Sequence, residues 1–314
     1  MKAIILMSIC MAGLFISCGK DTSVYEAQKK EDVASATHFE PDGDDNPEGG
    51  ALKRGVHKVS LNVTLLDGSI VKREFKYYMP NSVDESKPVP LTFNFHGSYT
   101  YDEGITPPDP ILSISPNHIL NRIADSTNMI VIWPAGIAET GAVNWQNTDK
   151  NLPFVEAMLT FFEQKVPSVD QKRIYACGHS SGAIFSFVLA YNMSERFAAV
   201  CPVSGQMRLP TAVVQPGYKT AIRAFNGEKD ETVNYTAAQT NIKAWAERIG
   251  GYKINKGMPA PVVLKQGRYN IDAYKWNGGD VDIELFGVLG EGHGVDWYEI
   301  MPLMWEFMRS HPKK

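Results

Sequence analysis

A serine flanked by glycines is the strongest chemical signal in this sequence. Residues 178–182 read Gly-His-Ser-Ser-Gly, which fits the pattern G-x-S-x-G with Ser180 at its centre. A strand-like run at 173–177 precedes the pattern and an apolar, helix-like run at 183–192 follows it, the context that this motif requires. The glycines permit a turn so tight that the serine hydroxyl is exposed at the start of a helix. We therefore predict that Ser180 is a nucleophile for acyl transfer.

A serine hydroxyl at neutral pH needs a general base, usually a histidine that a carboxylate orients. His293 lies in a glycine-rich loop after a late strand-like run, and the only other histidine that follows Ser180 is His311, near the C-terminus. His293 is therefore the predicted base. Its loop contains three alternating glycines at 290–294, but no helix follows as a dinucleotide-binding fingerprint would need, so we predict no nucleotide site there.

Three carboxylates compete for the role of orienting this histidine. They lie in the loop after the strand-like run 221–225 and are Glu228, Asp230 and Glu231. In the chain order nucleophile, acid, histidine, the acid lies between the other two groups, and all three candidates satisfy that order. We favour Asp230 and keep the two glutamates as alternatives, because spacing alone does not choose among them.

A tetrahedral intermediate also needs backbone N–H donors for its negatively charged oxygen, each contributing roughly 10²- to 10³-fold in rate. One donor is expected from Ser181, the residue after the nucleophile. The other is expected from the turn at 96–98, His-Gly-Ser, which ends an early strand-like run. We assign it to Ser98, with Gly97 as the alternative, and interpret His96 as shaping this loop rather than as a second base.

Candidate substrate contacts lie close to these groups in the chain. Trp145 comes after the strand-like run 129–133, and an aromatic ring beyond a strand end can wall a pocket for a planar or sugar-bearing substrate. The alternative is that this ring only packs the loop. His179, directly before the nucleophile, and His96 complete the set of predicted substrate-binding residues.

Alternating strand-like and helix-like runs predict the scaffold. This alternation is typical of a mainly parallel twisted sheet with helices on both faces. Asp67-Gly68, between the runs 56–66 and 70–78, predicts an antiparallel hairpin at its N-terminal side. Ligands of such sheets bind beyond the carboxyl ends of the strands, where the candidate residues lie. The further runs are strand-like at 91–95, 129–133, 173–177, 198–203, 221–225 and 281–285, and helix-like at 119–126, 154–164, 183–192 and 236–250.

Composition and motif searches exclude several functions. The 314 residues carry a formal net charge of −4, which gives no broad positive field, so nucleic acid is not an expected partner. Neither a metal nor an organic cofactor is expected, because the sequence has no H-E-x-x-H, no paired C-x-x-C and no P-loop. Cys177 and Cys201 lie in apolar runs and are interpreted as small buried residues rather than as a disulfide.

The N-terminal segment predicts export and a lipid anchor. Residues 1–17 begin with one lysine and continue as an apolar run, typical of a signal peptide. The segment that ends Phe-Ile-Ser-Cys resembles a bacterial lipobox, so 1–17 is interpreted as a lipoprotein signal peptide and 18–50 as a polar, flexible tether lipidated at Cys18. Residues 51–314 form the predicted catalytic domain. The expected location is the cell envelope, at the outer membrane facing the cell surface or the periplasm; a plain signal peptide is the alternative.

Together these motifs resemble the esterase and polyhydroxybutyrate depolymerase group of α/β-hydrolases, which includes feruloyl and acetylxylan esterases of carbohydrate esterase family 1. The resemblance covers most of residues 55–310. Its carriers are His96-Gly97, Trp133-Pro134, residues 173–175 (Arg-Ile-Tyr) leading into 178–182, the loop 226–235 and Gly292-His293.

The acid loop of that group typically reads H-G-x-x-D-x-x-V-P-Y. Residues 226–235 follow this pattern, except that Asn226 and Asn234 replace its His and Pro, so the resemblance assigns the acid to Asp230. Two further departures concern other motifs. Ser-Gly-Ala at 181–183 stands where the group commonly has Asn-Gly-Gly. The Trp-Pro that usually follows the histidine is missing after His293, and Trp297 lies further on.

The resemblance implies an α/β-hydrolase fold and hydrolysis of carboxylic esters by a Ser-His-Asp triad without a cofactor. It implies feruloyl or acetyl groups on plant polysaccharide, or on its fragments, as substrates. Two kinds of alternative stay open. One is a polyhydroxyalkanoate-type depolymerase, a lipase or a peptidase that uses the same triad, and the other is a non-catalytic glycan-binding lipoprotein with the hydrolase fold.

Overall fold

The computed structural model describes residues 51–100, 118–139, 141–210, 217, 219–252, 258–276 and 278–314. The predicted signal peptide at 1–17 and the tether at 18–50, with Cys18, lie outside these residues and stay predictions. Within the described ranges, none of the helices combines the length and apolar character needed to cross a bilayer.

One sheet of ten strands forms the centre of the described structure, in the order β1-β2-β5-β3-β8-β9-β10-β13-β12-β11. Its six middle strands, from β5 to β13, run parallel, and antiparallel strands extend it on both sides. The strands β4, β7 and β6 form a small second sheet. The strands are Gly55–Thr64 (β1), Ile70–Met79 (β2), Val89–Phe95 (β3), Tyr99–Thr100 (β4), Ile130–Pro134 (β5), Ile137–Glu139 (β6), Ala142–Asn144 (β7), Val169–His179 (β8), Ala199–Val203 (β9), Ala221–Gly227 (β10), Val262–Gln266 (β11), Tyr269–Trp276 (β12) and Ile283–Val288 (β13).

Helices cover both faces of the sheet because successive strand residues point to opposite sides. On β3 and β8, for example, Phe93, Phe95 and Ala176 face one apolar core, which α2, α3 and α4 complete. Tyr175 and Cys177 face a second core on the other side of the sheet, which α1 and α5 complete. The helices are Ile119–Asp125 (α1), Thr148–Lys165 (α2), Ser181–Asn192 (α3), Tyr235–Arg248 (α4) and Trp297–Ser310 (α5).

The N-terminal hairpin follows from its turn residues. Strands β1 and β2 pair in register from Thr64 opposite Ile70, and Gly68 has φ +80°, a conformation that favours glycine. The Asp67 side chain accepts a hydrogen bond from the Ser69 N–H at 2.9 Å, which closes the turn. The predicted fold class, a mainly parallel sheet with helices on both faces and an N-terminal antiparallel hairpin, is confirmed.

Two cysteines lie opposite each other in the middle of the sheet. Cys177 on β8 pairs in register with Cys201 on β9, and both thiols are buried and free. Burial raises the pKa of each thiol above its usual value, because the thiolate would lose its hydration. These side chains therefore contribute to packing, as the sequence interpretation expected.

Candidate active site

The loops beyond four strand ends bring the predicted site residues to one edge of the sheet. Strand β3 leads into the turn at 96–98, β8 into Ser180, β10 into the loop that carries Asp230, and β13 into the loop that carries His293. All four strands run in the same direction, so their carboxyl ends lie on the same side of the molecule.

Ser180 adopts a backbone conformation that costs energy. Its φ of 53° and ψ of −112° lie in a region that non-glycine residues rarely adopt, at a cost of about 1–3 kcal/mol. Two hydrogen bonds hold it there: the Ser180 N–H donates to the Val203 carbonyl at 2.9 Å, and the Ile184 N–H donates to the Ser180 carbonyl at 3.0 Å. The residue caps the N-terminus of α3 and is half-buried, so the tight turn presents its hydroxyl at a helix N-terminus.

The flanking glycines allow the turn to press against strand β3. A Cβ atom on Gly182 would lie 2.1 Å from the Phe95 carbonyl oxygen, and one on Gly178 would lie 2.6 Å from the Gly182 carbonyl carbon. Both obstacles are backbone atoms, which cannot rotate away as a side chain can. The glycines of the G-x-S-x-G pattern are therefore required by close backbone packing as well as by the turn.

A buried carboxylate orients His293. Nδ1 of His293 lies 3.0 Å from Oδ2 and 3.1 Å from Oδ1 of Asp230, whose side chain is 0% exposed. Oδ1 also accepts the N–H groups of Thr232 and Val233, at 2.9 and 2.7 Å. Since a carboxylate accepts hydrogen bonds, the proton of a neutral His293 is on Nδ1, and Nε2 is left free to accept a proton.

The two alternative acids are directed elsewhere. Glu228 and Glu231 are both exposed, and the Glu228 carboxylate accepts the Gly290 N–H at 3.1 Å. Of the three candidate carboxylates, Asp230 is the one that the structure places against His293. Among the described residues no hydrogen bond joins the Ser180 hydroxyl to His293, and catalytic hydrogen bonds are often long in unliganded enzymes.

His179 connects the nucleophile turn to the histidine loop. Its Nε2–H donates to the His293 main-chain carbonyl at 2.8 Å, and the two ring centroids are 4.8 Å apart. Burial lowers the pKa of His179, because the charged ring would be poorly hydrated, so the ring is neutral near pH 7. His179 is predicted from the sequence to contact substrate, and in the structure its ring bonds to the main chain of His293.

His96 shapes its loop, and both of its ring nitrogens are used. Nδ1–H donates to the Gly97 carbonyl at 2.6 Å, and Nε2 accepts the Gly136 N–H at 2.9 Å. Burial lowers the pKa of His96 to about 4, so the ring is neutral near pH 7, and the two bonds select the tautomer with its proton on Nδ1. The expected role in shaping the loop fits these bonds, whereas the expected substrate contact has no free ring nitrogen to make it.

The expectation that Trp145 walls an open cleft is corrected by its burial. Only 2% of the residue is exposed, and its ring packs against Phe95 and Phe185 at centroid distances of 4.9 and 5.3 Å. The apolar residues around the ring exclude it from solvent, so it offers no face to a substrate. The alternative interpretation, that this ring packs the loop, describes its position.

The predicted oxyanion donors flank the nucleophile. Ser181 is the first residue of α3, where main-chain N–H groups have no partner within the helix. A Cβ atom on Gly97 would lie 3.6 Å from Cβ of Ser180, which places the 96–98 turn directly beside Ser180. Ser98, the next residue, is exposed. The first residue of α3 and the 96–98 turn, the two predicted sources of oxyanion donors, thus both lie next to Ser180.

No family model matches the chain. The chain is 25% identical over 240 residues to the bifunctional acetylxylan esterase/xylanase of Neocallimastix patriciarum, an alignment that covers 75% of the chain and 33% of that relative. It is 30% identical over 147 residues to the probable feruloyl esterase C of Aspergillus niger, covering 46% of the chain and 51% of that relative. The chain thus spans about a third and about half of the lengths of these relatives.

Among solved structures, the acetyl xylan esterase from Aspergillus awamori matches with a TM-score of 0.56 and 18% identity, covering 86% of this chain and 99% of that one. The chain has the α/β-hydrolase fold. The similarity to acetylxylan and feruloyl esterases that the sequence motifs indicated is confirmed by the two sequence relatives, and at 18% identity the structural match establishes the fold alone.

Within this α/β-hydrolase fold, a row of rings that the sequence did not predict leads away from His293. Trp297, at the start of α5, lies 6.5 Å from the His179 ring and 6.4 Å from the His118 ring, which in turn packs edge-on against Trp133 at 4.5 Å. The only sequence signal was the position of Trp297 four residues after His293. His118 lies in no sequence motif, because it comes close to Trp297 only through the contact between α1 and α5.

Proposed function

We propose that this chain is a serine carboxylic-ester hydrolase in which Ser180, His293 and Asp230 form the catalytic triad. The observation that carries the proposal is the buried Asp230 carboxylate bonded to Nδ1 of His293, in a loop that His179 ties to the nucleophile turn. The pair lies at the carboxyl edge of the parallel strands, where ligands of such sheets bind. The strained conformation of Ser180 supports the same function.

The proposed reaction proceeds in two steps. Nε2 of His293 removes the Ser180 proton while Oγ attacks the ester carbonyl, and the resulting oxyanion is stabilised by the N–H of Ser181 and an N–H of the 96–98 turn. The imidazolium, held by Asp230, then protonates the departing alcohol and leaves an acyl-enzyme. Water, deprotonated by His293, attacks the acyl-enzyme and releases the acid.

The proposed substrates are feruloyl or acetyl esters of plant polysaccharide. The two sequence relatives carry these activities in their names, one as an acetylxylan esterase and the other as a probable feruloyl esterase.

Hydrolysis of p-nitrophenyl acetate, methyl ferulate, acetylated xylan and a 3-hydroxybutyrate ester by purified residues 51–314 tests the proposal. We expect activity on acetyl or feruloyl esters, and complete loss of activity and of fluorophosphonate labelling in Ser180→Ala. Ser204→Ala is the matched control, since Ser204 has the same φ of 53° at the next strand end but is fully buried. Preference for the hydroxybutyrate ester would redirect the substrate assignment, and equal activity in wild type and Ser180→Ala would refute the triad.

We also propose that the chain is a lipoprotein anchored in the cell envelope through Cys18. The supporting observation is the apolar segment that ends in Phe-Ile-Ser-Cys, followed by a polar stretch as far as the catalytic domain. Expression of the full chain in a bacterial host tests this: Cys18→Ala is expected to move the protein from the membrane fraction to the soluble fraction, whereas Cys10→Ala, inside the signal peptide, is expected to leave it in the membrane fraction.

A further inference from the structure

We propose that Trp145 is a positioning residue of the oxyanion hole, an inference that rests on the proposed function. Its side chain and its main chain each hold one side of the hole. The indole Nε1–H donates to the His96 carbonyl at 3.0 Å, and the Trp145 main-chain N–H donates to the Ser181 hydroxyl at 3.2 Å. One buried residue thus bonds to the two segments that carry the expected donors, the 96–98 turn and the start of α3.

The first bond fixes the orientation of a peptide group. A trans peptide is planar, and its C=O and N–H point in opposite directions. When the indole holds the His96 carbonyl, the N–H on the other side of that peptide, which belongs to Gly97, must point away from the indole. Gly97 lies beside Ser180, so this N–H is held in the immediate surroundings of the nucleophile. The next peptide is held in the same way, because the His96 ring donates to the Gly97 carbonyl.

The indole is itself immobilised, so it is able to act as a fixed reference. Its ring stacks on Phe185 with an interplanar angle of 16° and meets Phe95 edge-on at 82°, and the His96 ring lies 5.0 Å from it. Phe95 immediately precedes the turn, and Phe185 lies on α3, the helix that begins at Ser181. The ring therefore fills the space between the two segments whose separation determines the width of the hole.

Removal of the indole N–H would leave the His96 carbonyl without its donor. An unpaired carbonyl in a partly buried position is unfavourable, and rotation of the 96–97 peptide toward another donor relieves that penalty. The same rotation re-orients the Gly97 N–H and disturbs the adjoining 97–98 peptide, which carries the Ser98 N–H, so either candidate donor is misaligned. Complete loss of one oxyanion donor costs about 10²- to 10³-fold in rate, so misalignment is expected to cost about 10- to 100-fold.

Trp145→Phe tests the proposal because it removes the N–H and keeps an aromatic ring. Trp245→Phe is the matched control: Trp245 is also fully buried, in the same apolar core, and its Nε1–H also donates to a main-chain carbonyl, that of Met207, at 3.0 Å. We expect both variants to lose similar thermal stability. Only Trp145→Phe is expected to lose kcat, by about 10- to 100-fold with KM changed less than about threefold.

Affinity for a boronic acid separates alignment of the hole from general damage. The boronate adduct of Ser180 mimics the tetrahedral intermediate, so its affinity is expected to fall by the same factor as kcat/KM in Trp145→Phe and to stay constant in Trp245→Phe. If Trp145→Phe folds poorly, β-(3-benzothienyl)alanine at position 145 replaces the N–H with sulfur at nearly unchanged shape, with the same expected loss.

Wild-type activity that Ser180→Ala abolishes establishes the proposed function before the tryptophan variants are compared. Once that function is established, either of two results would overturn the positioning role alone. One is that Trp145→Phe keeps the kcat and the boronate affinity of the wild type, and the other is that Trp145→Phe and Trp245→Phe show equal losses. A wild type that neither hydrolyses esters nor binds the boronic acid would overturn both.

Discussion

His179 donates a hydrogen bond from Nε2 to the main-chain carbonyl of His293, at 2.8 Å. The residue before the proposed nucleophile thereby holds the backbone of the proposed base, and the two imidazoles lie with their centroids 4.8 Å apart. A carbonyl only accepts hydrogen bonds, so the bond requires a proton on Nε2 of His179. The bond spans 114 positions in sequence and joins the ends of β8 and β13, which are not neighbours in the sheet.

We predict that His179→Leu lowers kcat by about 2- to 13-fold, the range that corresponds to loss of one hydrogen bond of about 0.5–1.5 kcal/mol. KM is expected to change little, because the bond acts on the base rather than on the substrate. His179→Gln is the matched variant, since its amide N–H is able to donate to the same carbonyl and to restore most of the activity. Steady-state kinetics on one ester measure both variants; equal losses in the two would show that the bond does not position His293.

Asp230→Asn is predicted to lower kcat by about 10³- to 10⁴-fold. An amide NH₂ group in place of a carboxylate oxygen no longer accepts the His293 Nδ1–H, which favours the wrong tautomer and leaves the imidazolium unstabilised. Glu228→Gln and Glu231→Gln are the controls, because both side chains are exposed and neither contacts the base. A larger loss in either glutamate variant than in Asp230→Asn would reassign the acid.

Gly182→Ala is predicted to destabilise the fold and to reduce activity. The new Cβ would meet the Phe95 carbonyl at 2.1 Å, so strand β3 and helix α3 must separate, at a cost of about 1–3 kcal/mol or more. Gly294→Ala is the control for stability, because its Cβ would have no atom within 4 Å. Urea unfolding of both variants measures the difference, and equal free energies of unfolding would mean that the close packing at Gly182 relaxes without cost.

The elements nearest the catalytic groups could be predicted from sequence because each has a strong local signal. The buried parallel strands are continuous apolar runs, and the turn at Asp67-Gly68 has its own chemistry. The strands β11 and β12 were missed, since β11 is a half-exposed edge strand whose pattern mixes exposed and half-buried residues. Its position is determined by pairing with β12, and this pairing leaves little mark on a five-residue window.

The candidate site also contains residues that the sequence could predict and one whose position it could not. Ser180 and His293 could be named from motif and chain order, whereas the choice of Asp230 over its neighbours needed the family pattern. The function of Trp145 could not be predicted, because a tryptophan beyond a strand end looks the same in sequence whether its ring faces a cleft or a core. Its burial depends on Phe95 and Phe185, which lie 50 and 40 positions away in the chain and meet it only in the folded structure.

Stability is predicted to fall as the pH drops from 6.5 to 4, with His118 as one cause. Burial lowers the pKa of His118 to about 4, from an ordinary value near 6.5. Its Nδ1 accepts the Leu120 N–H at 3.2 Å and caps α1, so protonation also removes the cap. Between these two pKa values the unfolded chain binds more protons than the folded one, and stability therefore rises with pH across this window.

His118→Asn separates this contribution from those of the other buried histidines. Asparagine keeps an acceptor at the N-cap and does not titrate, so the slope of the unfolding free energy between pH 4 and 6.5 is expected to fall by up to about 1.4 kcal/mol per pH unit. Above pH 7 His118 is neutral in both folded and unfolded chains, and the difference in stability between the two proteins is then expected to be constant. Urea unfolding at a series of pH values measures both regimes, and parallel curves across the whole range would mean that His118 titrates alike in the folded and unfolded chains.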